Sequence, residues 1–247
     1  AQLSIEDHLG MESIQSLTVH SGSILFQHRT KESWEGGTTS AIGLMSTSGG
    51  TPTMLTSGAF DYDPQWSPDG SLVSFISYRD NLQQIYTMPR SGGKSTMVSD
   101  AQAYISDYTW LNDSTIAYVD DEPRDSQYQA TTNANGGGYW VGTEFFTNAA
   151  WAYHIHSKER RRLTDGSFRI VEIAASGDGQ YLAMVCAKNY DTYESITNSW
   201  VQVMDVSRQE VVFTYQLAES LGQLAFSPSG KKLSFVGSTA GFAAKDA

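Results

Sequence analysis

The sequence predicts an all-β protein, a β-propeller of four-stranded blades, and three observations carry that prediction. The unit Trp66-Ser-Pro-Asp-Gly70, followed by Ser71-Leu-Val-Ser-Phe-Ile76, returns as Phe226-Ser-Pro-Ser-Gly230 followed by Lys231-Lys-Leu-Ser-Phe-Val236. Weaker copies stand at Trp110 to Val119 and at Ala175 to Val185, with a degraded first copy from Val19 to Phe26. The equivalent positions Val19, Trp66, Trp110, Ala175 and Phe226 are 47, 44, 65 and 51 residues apart, close to the ~40–50 residues of a propeller blade. A β-sandwich with regular turns is the competing architecture, but it does not require a repeated tetrad at that interval.

Each element of the repeat has a physical reason. In the tetrad, Pro presets φ and Gly accepts φ > 0, which makes a tight turn between two strands. Alternating apolar and small polar residues then predict a strand with one packed face and one different face. A second half follows in each unit, as in Ile85-Tyr-Thr-Met88, Ser91-Gly-Gly93 and Met97-Val98, and a Leu-Thr pair such as Leu163-Thr164 leads to the next blade. The expected organisation is an N-terminal helical segment over 1–16, capped by Ser4 with Leu9 and Ile14 available for packing, and a partial propeller over 17–247. Its blades are expected at 17–58, 59–100, 101–166, 167–217 and 218–247. The fifth stops after one hairpin, giving about four and a half blades and the expectation that the chain is part of a longer protein.

Composition narrows function. Forty per cent apolar and 12% aromatic residues suit a folded globular chain, and no apolar run approaches the ~18 residues of a membrane span. Sixteen basic residues against 27 acidic ones give a net charge of −11, which disfavours nucleic acid and anionic membranes. The one basic run, Lys158 to Arg162, reads as a solvated turn. Cys186 cannot form an internal disulfide and reads as a buried, inert thiol. Ala1-Gln2 is what signal-peptide cleavage commonly leaves, so a periplasmic or secreted location is expected, with cytoplasmic as the alternative.

No metal or cofactor is expected. His154 and His156, two apart on a predicted strand, share a face but lack a third ligand nearby. Asp61, Asp63 and Asp69 bracket a turn without the later bidentate glutamate of a calcium loop, and read as turn caps. Gly136 to Gly138 lacks the Lys-Ser/Thr of a phosphate cradle and reads as a flexible loop, within a polar insertion that begins at Asp120. A second, shorter extension runs from Asn189 to Glu194.

The repeat Trp66-Ser-Pro-Asp-Gly70, Phe75, Ile85-Tyr86 and Gly92-Gly93, with Arg162-Leu-Thr-Asp-Gly166 at a blade end, resembles the propellers of the prolyl oligopeptidase family of serine peptidases, and second the TolB-like propellers. The opening Leu3-Ser-Ile-Glu-Asp7 and the long third-blade insertion look more like the acylaminoacyl-peptidase and dipeptidyl-peptidase-like members. That resemblance implies a non-catalytic propeller that gates and positions short peptides for an α/β-hydrolase domain of the same parent chain. The nucleophile elbow Gly-x-Ser-x-Gly is absent from 1–247, so that domain is expected beyond Ala247. In aminopeptidase-like members acidic propeller side chains hold the substrate's free N-terminus and an arginine contacts its carbonyls or carboxylate. The resemblance thus implies Asp121, Glu122 and Arg124 as substrate-binding residues, in the cluster that starts at Asp120. The alternative reading is a TolB-like scaffold for protein–protein interaction without catalysis. A glycan-binding propeller, supported only by aromatic content, ranks last. Self-association through the open fifth blade is the remaining expected partner mode.

Overall fold

The computed structural model describes residues 12–31, 38–58, 60–79, 82–122, 147–188, 199–216 and 219–238. These fall into two compact units, 1–100 and 101–247. All regular structure among them is β-strand, in sheets whose order follows the chain.

The first unit holds two four-stranded antiparallel sheets. One comprises β1 (Ser13–His20), β2 (Ser23–Lys31), β3 (Thr38–Ser46) and β4 (Thr53–Met54). The other comprises β5 (Asp61–Trp66), β6 (Leu72–Arg79), β7 (Leu82–Pro89) and β8 (Thr96–Met97). Leu25, Ile42, Trp66, Val73, Phe75 and Met88 close a core between them. The helix expected over 1–16 meets a strand: residues 1–11 lie outside the described residues, and Ser13–Ser16 already belong to β1, paired with β2 from Ser13↔Arg29 onward. Pairing to β2 satisfies those backbone groups, which the sequence pattern did not foresee.

The second unit holds β9 (Ile105–Asn112), β10 (Thr115–Asp121), β11 (Asn148–His154) and β12 (Arg160–Arg162) in one sheet. A second sheet contains β13 (Arg169–Ala175), β14 (Tyr181–Ala187), β15 (Ser199–Asp205) and β16 (Glu210–Gln216). The last sheet has two strands among the described residues, β17 (Glu219–Phe226) and β18 (Leu233–Ser238). Four four-stranded sheets and a half sheet are what the repeat predicts.

The second strand of each full sheet is buried on both faces, where the sequence suggested one packed face. In β14, Leu182, Met184 and Cys186 enter the core shared with Ala117, Val119 and Ala150, while Ala183 and Val185 enter a second core with Val201, Val203 and Leu224. Strand alternation sends successive side chains to opposite sheets, and each large apolar side chain so buried contributes about 1.5–3 kcal/mol. The small polar residues of β6 are buried too: the Ser77 hydroxyl donates to Asp61 at 2.6 Å and Ser74 to the Gln65 carbonyl at 3.3 Å.

The tetrad turn is built by more than Pro and Gly. Ser67 donates to the Asp69 carboxylate at 2.6 Å and its oxygen accepts the Leu72 N–H at 3.0 Å, while Asp69 accepts the Ser71 N–H at 2.9 Å. Ser176 and Asp178 repeat the arrangement, at 2.6 Å to each other and 2.9 Å to the Tyr181 N–H. These bonds hold the Asp69 and Asp178 carboxyls below their ordinary range, the serine hydroxyl being the largest cause. Gly179 closes its turn at φ +69. At three blade ends a hydroxyl replaces a strand partner: Thr56 accepts the Ile42 N–H at 3.0 Å, Ser99 that of Ile85 at 2.8 Å and Thr164 that of Ala150 at 3.0 Å.

Neighbouring sheets of the second unit are tied by polar contacts as well as packing. Asn148, fully buried, accepts the Ile170 N–H at 2.6 Å and donates to the Ile170 carbonyl at 3.0 Å. Asp107 accepts the Ile173 N–H at 2.7 Å.

Candidate functional site

Strand β10 runs in register against β11 to its last pair, Asp121↔Asn148, and this delivers three consecutive acids to one end of its sheet. Alternation then separates their fates. Asp120 is 2% exposed and accepts the N–H groups of Gln102 at 2.9 Å and Ala103 at 3.1 Å together with Arg160 at 2.9 Å. Burial nonetheless holds its carboxyl above the ordinary range, against those bonds and the Arg160 charge. It orders the segment entering β9.

Asp121 and Glu122 are half-buried at the same end of the sheet. Their backbones are fixed by N–H bonds to Tyr104 at 3.1 Å and Thr147 at 3.0 Å. The Glu122 carboxylate pairs with Arg162, whose guanidinium is locked by the Thr164 carbonyl at 2.7 Å and the Asp165 carbonyl at 2.8 Å. Trp151 flanks both arginines, its ring 3.6 Å from Arg160 and 5.1 Å from Arg162. Gly166, at φ +77, leaves room for this pair, because a Cβ there would stand 2.4 Å from the Glu122 carboxylate.

This end of the sheet therefore carries a Glu122–Arg162 ion pair with a partly exposed guanidinium on the Asp120 face, while strand alternation turns Asp121 to the other face. A carboxylate takes an ammonium group by charge-assisted hydrogen bonds, and a guanidinium takes a carboxylate or carbonyl. Arg124 lies outside the described residues, as do Gly136–Gly138 and Asn189–Glu194. Arg162 is the residue that sequence reasoning missed, although it opens the Arg-Leu-Thr-Asp-Gly motif. The basic run is not a solvated turn: Arg160, Arg161 and Arg162 form β12, and Arg161 donates to the Val206 carbonyl at 3.2 Å. The sheet places each arginine against an acceptor.

His154 ends β11 and His156 sits in the turn beyond it, where the Ser157 N–H donates to His154 Nδ1 at 3.1 Å. They do not share a strand, since the chain turns after His154, and the described residues contain no group of three or more potential metal ligands. Asp69 caps its turn, but Asp61 and Asp63 lie in β5: Asp61 is buried against Ser77 and 3.6 Å from Arg79. Asp63 occupies a β-bulge at φ +51, where burial raises its carboxyl to about 6 against an opposing bond from Gln65. Cys186 is fully buried, and desolvation pushes its thiol far up. No described helix is long and apolar enough to cross a membrane.

No protein-family model matches the chain. It is 27% identical over 136 residues to the uncharacterized peptidase YuxL of Bacillus subtilis, an overlap covering 49% of this chain and 21% of that one. Among solved structures, TolB from Acinetobacter baumannii superposes with a TM-score of 0.57 at 19% identity, covering 85% of this chain and 45% of that one. An acylaminoacyl peptidase of Pyrococcus horikoshii superposes with a TM-score of 0.61 at 11% identity, covering 86% of this chain and 34% of that one. This is the fold of an incomplete β-propeller. The chain spans less than half the length of each of these three proteins, and its structural neighbours include both TolB-like and peptidase propellers.

Proposed function

We propose that this chain is the propeller portion of a serine peptidase of the acylaminoacyl- or dipeptidyl-peptidase type, which gates and positions short peptides for an α/β-hydrolase domain of the same parent protein. The observation that carries this reading is the end of β10, where half-buried Glu122 is held by the locked, partly exposed Arg162 and Asp121 precedes it in the chain. Likeness to a peptidase in sequence and to an acylaminoacyl peptidase in fold supports it. In this reading Glu122 holds the substrate's free amine, and Arg162 keeps its carboxylate aimed. Arg124, from the following insertion, contacts the peptide's carbonyls or carboxylate.

The test is made on the full-length parent. Peptide cleavage should be abolished by a serine-directed fluorophosphonate, and Glu122→Gln should raise KM for free-amino peptides about tenfold or more while leaving amino-blocked peptides unaffected. An unchanged KM overturns the recognition role, and no fluorophosphonate labelling overturns the peptidase reading. The second reading, a TolB-like scaffold that binds a protein partner without chemistry, is favoured by the higher identity to TolB, 19% against 11%. The periplasmic or secreted location belongs to the same proposal and is tested by fractionating cells that make the parent protein.

A further inference from the structure

A hollow of about 530 Å³ opens in the first unit, on the face that the first sheet turns to the second. Alternation sets Leu25, Gln27 and Arg29 of β2 on that face, together with Ile42, Ser40 and Thr38 of β3. Register pairs Gln27 with Ile42 and Arg29 with Ser40. The face is divided along its length. Leu25 and Ile42 belong to the core closed by β5, β6 and β7, whereas Gln27, Arg29, Ser40 and Thr38 line the hollow. Phe60, directly before β5, is 49% exposed, bridges to Ser40 and lines the hollow as well.

Two of these polar groups are buried without a partner. Gln27 and Ser40 are each 8% exposed, and among the described residues neither side chain makes a hydrogen bond. Arg29 donates to the Gln15 side-chain oxygen at 3.3 Å and meets no carboxylate among the described residues. Arg79 in the same unit shows the ordinary arrangement, with Asp61 at 3.6 Å and the Ser77 hydroxyl at 2.9 Å. Buried polar groups are as a rule paired. Here an amide, a hydroxyl and an uncompensated guanidinium converge on one hollow, whose volume falls within the ~300–1,000 Å³ of small-ligand pockets.

The chemistry of the set selects the ligand. A guanidinium takes a planar carboxylate through two parallel bonds, and one cation balances a monoanion better than a phosphate dianion in a chain of net charge −11. The Gln27 carboxamide carries donors and an acceptor, the complement of a peptide group. The Phe60 ring supplies an apolar surface.

We infer that this hollow binds the C-terminal residue of a polypeptide, with its carboxylate on Arg29 and the Ser40 hydroxyl, its peptide group on Gln27 and its apolar side chain against Phe60. The inference does not depend on the peptidase reading, and its test involves no cleavage.

The probe is fluorescein-labelled Gly-Gly-Gly-Phe with a free C-terminal carboxylate, titrated against the 247-residue chain by fluorescence anisotropy. Saturable one-to-one binding is expected, and the same peptide ending in an amide should bind about tenfold or more weakly. Arg29→Gln should remove that preference for the acid. Gln27→Leu should weaken binding of the acid about tenfold without lowering the Tm, because it deletes an amide that has no partner within the chain. Hydrocinnamate, which has the ring and the carboxylate but no peptide group, should compete at least about tenfold more weakly than unlabelled peptide, and phenyl phosphate should not compete. Should Arg29→Gln fail to fold, the comparison of acid and amide on the parent sequence carries the test. Absence of saturable binding, equal binding of acid and amide, a preference for the acid that survives in folded Arg29→Gln, or equal competition by hydrocinnamate or phenyl phosphate would overturn it.

Discussion

The Glu172 carboxylate of β13 accepts the Leu224 N–H of β17 at 2.7 Å, and its other oxygen accepts the Gln223 N–H at the same distance. Asp107 of β9 does the same to Ile173 of β13. Both acids stand three residues before the tetrad-aligned positions Trp110 and Ala175, so one register position latches β9 to β13 and β13 to β17. The donor strands are bulged there, β13 between Ile170 and Glu172 and β17 around Gly222, which turns N–H groups away from the ladder and toward the neighbouring carboxylate.

Truncating this latch should loosen the last sheet. Glu172→Ala leaves two N–H groups without their charged acceptor and should cost about 1.5–3 kcal/mol, whereas Glu172→Gln, which keeps one carbonyl acceptor, should cost less. Urea unfolding of the three proteins measures the difference. An alanine variant as stable as the parent sequence would show that the carboxylate bonds contribute nothing.

Gly179→Ala should be among the most damaging single-methyl changes in the chain. Its φ of +69 disfavours any Cβ, and that Cβ would stand 1.9 Å from the Leu111 carbonyl oxygen, a backbone atom that cannot rotate aside. A loss of at least about 2 kcal/mol is expected. Gly49→Ala, at φ +90 with open space around it, meets backbone strain alone and should lose less. Thermal unfolding of both variants checks the order.

Asp63 should make the first unit less stable as pH rises. Its folded pKa of about 6 lies above the ordinary 3.8, so between those values the folded state holds a proton that the unfolded chain has released. Stability is therefore greatest below about pH 4, falls as pH rises through the window, and levels off above about 6. Asp63→Asn keeps a residue tolerant of φ +51 and removes the titration. The gain in Tm of the variant over the parent sequence should be larger at pH 7 than at pH 4; a gain independent of pH would show that Asp63 titrates normally.

Cys186 should be silent in the native protein. Fully buried and with its thiol pushed far up by desolvation, it supplies almost no thiolate at neutral pH. Reaction with an aromatic disulfide reagent should be negligible at pH 8 and stoichiometric in urea. Rapid native labelling would mean that β14 opens readily.

Much of the fold was legible because it is a local pattern repeated. Tetrads, Gly-Gly pairs and Leu-Thr pairs act through φ preferences and hydrogen bonds within a few residues, so turn positions could be read from residue types alone. The candidate site was legible only as composition: three consecutive acids announce charge, and alternation along β10 then sets Asp120 and Glu122 on one face, against Arg160 and Arg162, and turns Asp121 to the other. The helix expected at the N-terminus shows the limit of local reading, since Ser13–Ser16 take their structure from β2, a partner more than ten residues away in the chain.

By itself the sequence determined the all-β class, the blade period, the turn glycines and the inert cysteine, since each depends on the conformational freedom of a residue or on short-range alternation. Tertiary structure decided which faces are dry, and so why β14 is buried on both sides. It also decided that the three arginines of β12 belong to a strand set against Asp120, Val206 and Glu122, and that Asp107 and Glu172 each reach the next sheet. Those pairings join residues 40 or more positions apart, and only the stacking of sheets brings them within hydrogen-bond range.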